Sequence, residues 1–340
     1  MNPGLRCIAF VLVGVAFSDA PAQYPYKNKT DTHKSVATYA IDAGGAKLQI
    51  DFAAGDLDLP QNDVVDRVRK AALAVAEYYG RFPVSRMRIL VIPVAGEDGV
   101  LQGTTWGGMG GWPGFTRLRI GQHTTKAQLA GDWIMTHELV HTAFSSLPDD
   151  EHWLEEGIAT YVEPIARAQT GELTAERVWS DMVAGMPNGE PAENDQGMNH
   201  THTWGRTYWG GALFCLVADV EIRKQTGNRR GLQDALRGVV AAGETIDTER
   251  SVEEVLRAGD NATKTHVLEE MYAQWSQKPV KVELNQLWSE LGIDHPKGNI
   301  HFNPVAPLSR IRVMLTAPKE NGVLSVSRTR ATVSDGASRP

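Results

Sequence analysis

The chain has 340 residues, of which 42% are hydrophobic and 22% charged, and its formal net charge is −7. This composition is typical of a globular protein, and its lysines and arginines are scattered, which excludes the basic footprint of a nucleic-acid-binding protein. Its two cysteines are Cys7 and Cys215, and because Cys7 lies in a predicted leader, no intramolecular disulfide is expected in the mature chain.

That leader is predicted to be a secretory signal peptide. Residues 1–6 carry one positive charge, residues 7–17 form an uninterrupted apolar run, and Ala20-Pro21-Ala22 offers small residues for cleavage. A membrane-spanning helix needs about 20 apolar residues, so this run is too short, and no comparable run follows. We therefore expect removal of residues 1–22 and an exported protein, periplasmic or extracellular.

A small mixed sheet with one helix is predicted for the next part of the chain. Gly44-Gly45 separates two alternating segments and is typical of a turn between strands. The helix is amphipathic, with valines and alanines on its inner face. The predicted elements are strands at 35–41 and 46–52, a helix at 63–79, and strands at 87–94 and 116–120.

Six glycines lie between Gly103 and Gly114, together with Trp106 and Trp112. A glycine cluster usually indicates a flexible loop. The alternative, which we favour, is an edge strand along which an extended peptide lies as a further strand, walled by the two tryptophans. On this interpretation the candidate substrate-binding residues are Trp106, Gly107, Gly108, Met109 and Gly110.

Beyond residue 126 the chain is predicted to be mostly helical, and residues 126–146 contain the pentad His137-Glu138-Leu139-Val140-His141. Residues four apart share one face of a helix, so His137 and His141 can bind one metal ion. Glu138 is turned away from that face and is placed to act as a general base. The alternative is a buried helix with two structural histidines.

A catalytic zinc needs a third protein ligand and an open position, and Glu156 is the predicted third ligand, with Glu155 as the alternative. The second helix is expected to start near Asp149 or Asp150, either of which could cap it, and to kink or end at Pro164. Thr160, one turn after Glu156, is a candidate to orient a ligand. His152 is interpreted as structural.

The stretch Trp153-Leu-Glu-Glu156-Gly-Ile-Ala-Thr-Tyr161 resembles the third-ligand motif of the gluzincin metallopeptidases, nearest to their glycyl aminopeptidase and aminopeptidase N branches. The resemblance covers roughly residues 85–245. It implies one Zn²⁺ per chain, bound by His137, His141 and Glu156. Thr207-Tyr208-Trp209-Gly210-Gly211-Ala212 is similar to the family's Tyr-x-x-Gly-Ala segment, which implies that Tyr208 binds the oxyanion.

The resemblance implies an α+β, thermolysin-like two-lobe metallopeptidase, with a small mixed sheet and helices followed by a mainly helical lobe. We expect a β-rich lobe with the edge strand at 23–125, the zinc-binding helices and helical lobe at 126–324, and a disordered tail at 325–340. The two lobes would form one catalytic unit, and the oligomeric state is left open.

In the aminopeptidase branches a glutamate upstream of the zinc helix anchors the substrate's amino terminus. Here Gly107-Gly108-Met109-Gly110-Gly111 lies near the usual separation and has glycine at that position. The sequence therefore favours an exported zinc endopeptidase acting on a peptide or protein. The alternatives are an aminopeptidase with a different amine anchor, a non-catalytic zinc-containing peptide-binding protein, and a zinc hydrolase with a non-peptide substrate.

Overall fold

A computed structural model describes residues 31–295 and 298–318 of the chain. The predicted signal peptide and the predicted disordered tail lie outside these residues. Among the helices that the structure describes, none is long and apolar enough to cross a membrane.

Five strands form one mixed sheet in the order β1-β2-β3-β5-β4. Strands β1 and β2 are antiparallel, β2, β3 and β5 run parallel to one another, and β4 pairs with β5 in the antiparallel sense. The strands are β1 Ser35–Ala43, β2 Ala46–Ala53, β3 Arg86–Val94, β4 Val100–Gly107 and β5 Gly114–Gly121. All four strands predicted outside the glycine cluster are confirmed, and β4 is an edge strand as favoured.

The turn between β1 and β2 depends on Gly44 and Gly45, which have φ values of 55° and 85°. A side chain at Gly44 would also collide with Ala76 and Phe82, so glycine is needed there for space as well as for conformation. The predicted glycine turn is confirmed.

One face of the sheet is covered by helices. Helix α1, Gln61–Tyr79, connects the parallel strands β2 and β3, and its predicted inner residues Val64, Val68 and Val75 are fully buried. The opposite face of the sheet carries a smaller apolar cluster of Ala53, Leu90, Met109 and Phe115. The main hydrophobic core lies on the face of the sheet that the helices cover.

The rest of the described chain is mainly helical, as predicted. A two-stranded hairpin of β6 Ile293–Asp294 and β7 His301–Phe302 interrupts it near the end. The helices are α2 Lys126–Gly131, α3 Ile134–Val140, α4 His152–Gln169, α5 Ala175–Gly185, α6 Gly211–Gln225, α7 Leu232–Ala241, α8 Val252–Thr263, α9 Val267–Trp275, α10 Leu284–Leu291 and α11 Ser309–Thr316. The sequence did not predict α11.

Residues 126–146 do not form the single helix that we predicted. The chain is extended at Asp132, with ψ of 135°, and the carboxylate of Asp132 accepts hydrogen bonds of 3.0 Å from the amides of Ile134 and Met135. These amides would otherwise be unpaired in the first turn of α3. Asp132 therefore ends one helix and starts the next, and α3 is short.

The expected side-chain cap of α4 is wrong, and α4 does not end at Pro164. Helix α4 is preceded by a 3₁₀ turn at Asp149–Glu151, and neither Asp149 nor Asp150 caps it with a side-chain hydrogen bond. Pro164 lies inside α4, which continues to Gln169. A proline removes one backbone donor, yet α4 continues past it and packs against α1 and α6.

Candidate metal centre

Three side chains converge between α3 and α4. His137 lies in α3, His141 begins the 3₁₀ turn that follows it, and Glu156 lies in α4. The Nε2 atom of His137 is 3.0 Å from Oε2 of Glu156, and Nε2 of His141 is 3.7 Å from the same oxygen. One ligand atom from each residue lies within 4.8 Å of the others. The predicted ligand set is thus brought together by the fold.

This group fits one zinc ion. Zinc–nitrogen and zinc–oxygen bonds of about 2.0–2.1 Å at tetrahedral angles separate ligand atoms by roughly 3.3 Å, which lies between the two measured distances. Burial lowers the pKa of His141 to about 4, so its imidazole is neutral and offers a lone pair at neutral pH. Burial alone would raise the pKa of Glu156, but His141 and the hydrogen bond from His137 hold it well below its usual range.

Glu138 lies beside this group and faces the edge strand. Its Oε2 accepts a hydrogen bond of 2.8 Å from the hydroxyl of Thr105 in β4. Thr105 Oγ1 also lies 3.0 Å from the Glu138 backbone carbonyl. Burial raises the pKa of the Glu138 carboxyl to about 7. A carboxyl group of this pKa can accept and return a proton near neutral pH.

The approach of β4 to Glu138 requires glycine at position 103. A β-carbon there would lie 2.7 Å from Cδ and 2.8 Å from Oε1 of Glu138, closer than real side chains tolerate. Residues two apart on a strand share one face, so Gly103 and Thr105 together form the wall against which the Glu138 carboxyl rests.

Tyr208 contacts the metal-binding group from the helical side. It lies in a π-helical turn, Gly205–Gly210, directly before α6, and such turns are frequent at functional sites. Its ring stacks on that of His137, with centroids 6.2 Å apart, and its hydroxyl interacts with Glu156. Burial and the facing carboxylates of Glu156 and Glu138 raise the pKa of Tyr208, so its hydroxyl remains a donor.

Two close contacts hold this turn in place. Arg206 is buried and ion-paired with Asp195 at 2.7 Å, and its guanidinium also donates to the backbone carbonyl of Gly189. Gly157 in α4 and Gly211 in α6 pack so closely that a β-carbon on Gly157 would lie 2.8 Å from the Gly211 carbonyl oxygen. Since these glycines directly follow Glu156 and the π-helical turn, their contact sets how closely the two functional elements approach.

An aromatic row crosses the site. Trp133 meets His137 edge-on at 5.3 Å, and Trp204 stacks on Tyr208 at 5.9 Å between ring centroids. Trp133 is 47% exposed and Trp204 58% exposed. The row Trp204–Tyr208–His137–Trp133 will be called the aromatic row.

Only part of the predicted substrate-binding segment lies in the edge strand β4. Gly107 ends β4, and a β-carbon on it would strike the backbone of Ile246. Gly108, Met109 and Gly110 lie in a turn after the strand, with Met109 buried on the opposite face of the sheet. In the strand itself, Gly103 and Thr105 are the residues that meet Glu138.

The two tryptophans of the glycine cluster do not wall the metal centre. The side chain of Trp106 lies on the face of β4 opposite to Thr105, packed on Phe115 and under the guanidinium of Arg117. Trp112 lies against the guanidinium of Arg86, 5.3 Å from it. Side chains alternate along a strand, so the register of β4 decides the position of Trp106, whereas Trp112 lies beyond the strand.

His152 contacts the predicted ligand Glu156, whereas Thr160 does not have the predicted orienting role. Nε2 of His152 is 3.2 Å from Oε1 of Glu156 and Nδ1 is 3.2 Å from Oε2 of Glu155, so His152 bridges the predicted ligand and its neighbour. Thr160 Oγ1 has no hydrogen-bond partner within the described part of the chain and does not orient a ligand there. Glu156 is the glutamate that faces both His137 and His141, whereas Glu155 contacts His152.

Sequence reasoning missed the contacts of Gly103 and Thr105 with Glu138, which depend on strand pairing, and it missed three further residues that share a local signal. Trp133, His152 and Trp204 each precede a predicted site residue by four positions, namely His137, Glu156 and Tyr208. Residues four apart lie on one helix face. Extending each predicted site by one turn would therefore have found them.

Comparison with solved structures finds a similar fold in an aminopeptidase N family protein from Idiomarina loihiensis, with a TM-score of 0.54 at 13% identity. The likeness covers 75% of this chain and 49% of that protein. An M1 zinc metallopeptidase from Deinococcus radiodurans gives a TM-score of 0.47 at 16% identity, over 73% of this chain and 52% of that one. The chain thus spans about half the length of these proteins.

At this level of identity the likeness concerns the fold, and it confirms the expected resemblance to the aminopeptidase N branch in the arrangement of a mixed sheet with helices. No protein-family model matches the chain. The curated proteins contain no match to it either.

Proposed function

We propose that the protein is a zinc-dependent peptidase. The observation that carries this proposal is the convergence of His137, His141 and Glu156 beside a buried carboxyl group, Glu138, which does not belong to the ligand set. A structural zinc site usually closes all four positions with protein ligands. Three ligands with an adjacent base suit catalysis better than structure.

In this proposal each residue has one task. The zinc ion, when bound by His137, His141 and Glu156, supplies a water molecule of pKa about 7 and polarises the scissile carbonyl. Glu138 accepts a proton from the attacking water and returns it to the leaving nitrogen. Tyr208 donates a hydrogen bond to the oxygen that becomes negatively charged. Thr105 holds the Glu138 carboxyl in place.

The substrate peptide is proposed to lie along β4. This strand is at the edge of the sheet and meets Glu138 through Gly103 and Thr105. An extended peptide can add to such an edge through main-chain hydrogen bonds. The binding segment is then the strand itself, ending at Gly107, and not the turn that follows.

Endopeptidase activity is our preferred form of this proposal. The segment of β4 from Val100 to Gly107 contains no carboxylate that could pair with an α-ammonium group. The alternative is an aminopeptidase with its amine anchor elsewhere, which is favoured by the fold likeness to an aminopeptidase N family protein.

Product mapping by mass spectrometry separates these forms. A peptide pool with free amino termini and a matched pool with blocked ones are incubated with zinc-loaded protein, with and without chelator. Internal cuts in the blocked pool are expected, and chelator should abolish them. Stepwise loss from free amino termini alone would establish the aminopeptidase.

The control is Glu138→Gln, which keeps the shape of the side chain but cannot act as a base. It should bind one zinc ion per chain by metal analysis and lose cleavage. Full activity of this variant would refute the assigned role. Absence of cleavage by the native protein in both pools, with peptide binding retained, would favour the non-catalytic binding protein.

We further propose that the chain is exported after cleavage near Ala22 and that the sheet and the helical part form two lobes of one catalytic unit. The support for export is the charge and apolar pattern of residues 1–22. Amino-terminal sequencing of the protein from the periplasm or medium should give Gln23, and an intact Met1 in the cytoplasm would contradict export.

A further inference from the structure

Exposed tryptophan is confined to the metal centre. The chain has nine tryptophans, and all of them lie in the described part of the chain. Only Trp133 and Trp204 are more than one-third exposed. Each is the outer ring of the aromatic row, and each touches a residue of the proposed catalytic site.

The sequence spacing explains why both rings reach this site. Trp133 precedes His137 by four residues, and Trp204 precedes Tyr208 by four. Side chains at this spacing lie on one face of a helical segment. Each tryptophan therefore lies on the same face as its site residue, one turn nearer to the solvent. The two helical faces meet where the rings of Tyr208 and His137 stack.

No carboxylate other than Asp132 lies within three residues of either ring in the sequence. The nearest carboxylate in sequence to Trp133 is Asp132, which is buried and bound to the amides of Ile134 and Met135. Trp204 is preceded by Thr201, His202 and Thr203. A cationic side chain could stack on tryptophan, but no free carboxylate adjoins either ring in sequence to favour it. A large apolar side chain regains the most by covering one of these rings.

We propose that Trp133 and Trp204 select substrates that carry a bulky apolar or aromatic residue next to the scissile bond. The proposal rests on the peptidase function proposed above and names the substrate class of that site. Each ring is a contact surface for a substrate side chain on one side of that bond. The backbone of the substrate lies along β4.

The test compares peptides that differ only in the residue flanking the cleaved bond, placed in turn on either side, as phenylalanine, leucine, alanine or lysine. A preference of roughly 10- to 200-fold in kcat/KM for phenylalanine or leucine over alanine is expected, the range that apolar contacts provide. Trp204→Ala or Trp133→Ala should reduce this ratio by about tenfold, and Trp204→Phe or Trp133→Phe should retain most of it.

The matched control is Met314→Ala, which removes an exposed apolar side chain elsewhere. Met314 lies in α11, which meets α4 at Gln169, thirteen residues or about 20 Å from Glu156 along the helix. This variant should leave the ratio unchanged. Thermal denaturation checks that each variant is folded.

Two results would overturn the proposal: an unchanged ratio in both alanine variants, or a native preference for lysine. The same peptides are also titrated into zinc-loaded Glu138→Gln, where the ratio of dissociation constants reports the preference without cleavage. Failure of the peptidase proposal and failure of the aromatic selection are therefore measured separately.

Discussion

Replacing Gly103 by alanine should inactivate the protein without unfolding it. The added β-carbon would lie 2.7 Å from Cδ of Glu138, against an ordinary contact distance of 3.4 Å or more. Because Cγ of Glu138 would be nearer still, either the side chain or the strand must retreat by about 1 Å. Because a misplacement of about 1 Å at a reacting group can cost about 100-fold in rate, we expect a loss of that order in kcat.

The stability of the protein should change little in this variant. Position 103 lies in a strand and does not have the positive φ that would strain an alanine, and glycine is the less stable residue in a strand interior. Zinc content should also be unchanged, because the three atoms nearest to the added carbon all belong to Glu138 and none to a predicted zinc ligand. The assays are steady-state kinetics on a cleaved reference peptide, metal analysis and thermal denaturation.

A matched control and a double variant complete this experiment. Gly131→Ala adds the same carbon at the end of α2, where no atom lies within 4 Å, and should remain active. Combining Gly103→Ala with Glu138→Asp withdraws the carboxyl, so the two effects should be less than additive. Full activity of Gly103→Ala with normal zinc content would refute the argument that this glycine positions the base.

Three further outcomes are expected. Tyr208→Phe keeps both ring contacts but loses the hydroxyl, so kcat should fall about 10²- to 10³-fold with zinc bound normally, and an unchanged kcat would remove Tyr208 from the oxyanion role. Gly157→Ala should destabilise the protein by about 1–3 kcal/mol in denaturant unfolding, because α4 and α6 cannot separate without repacking; unaltered stability would contradict the tight crossing. Asp195→Asn leaves the buried Arg206 without its ion pair and should lower the free energy of unfolding by about 3–5 kcal/mol. The double variant Asp195→Leu with Arg206→Met should lower it less. A larger loss in the double variant would contradict the argument from the buried pair.

Local patterns predicted the two histidines of the candidate metal centre and the strands of the sheet. The spacing of His137 and His141 needs only one turn of helix to bring the imidazoles together, and that turn survives even though the long helix around it is broken at Asp132. Alternation and glycine turns likewise predicted β1, β2, β3 and β5 to within a few residues. Glu156 depended on motif resemblance, because nineteen residues separate it from His137.

The sequence by itself determined which residues can bind zinc, since ligand chemistry and helical spacing are properties of short segments. Only the tertiary structure decided what surrounds them. The register of β4 against β5 put Gly103 and Thr105 beside Glu138 and sent Trp106 to the opposite face. The contact between α4 and α6 brought Tyr208 over His137. Such contacts join segments far apart in the chain, and their geometry follows from packing, which no local pattern contains.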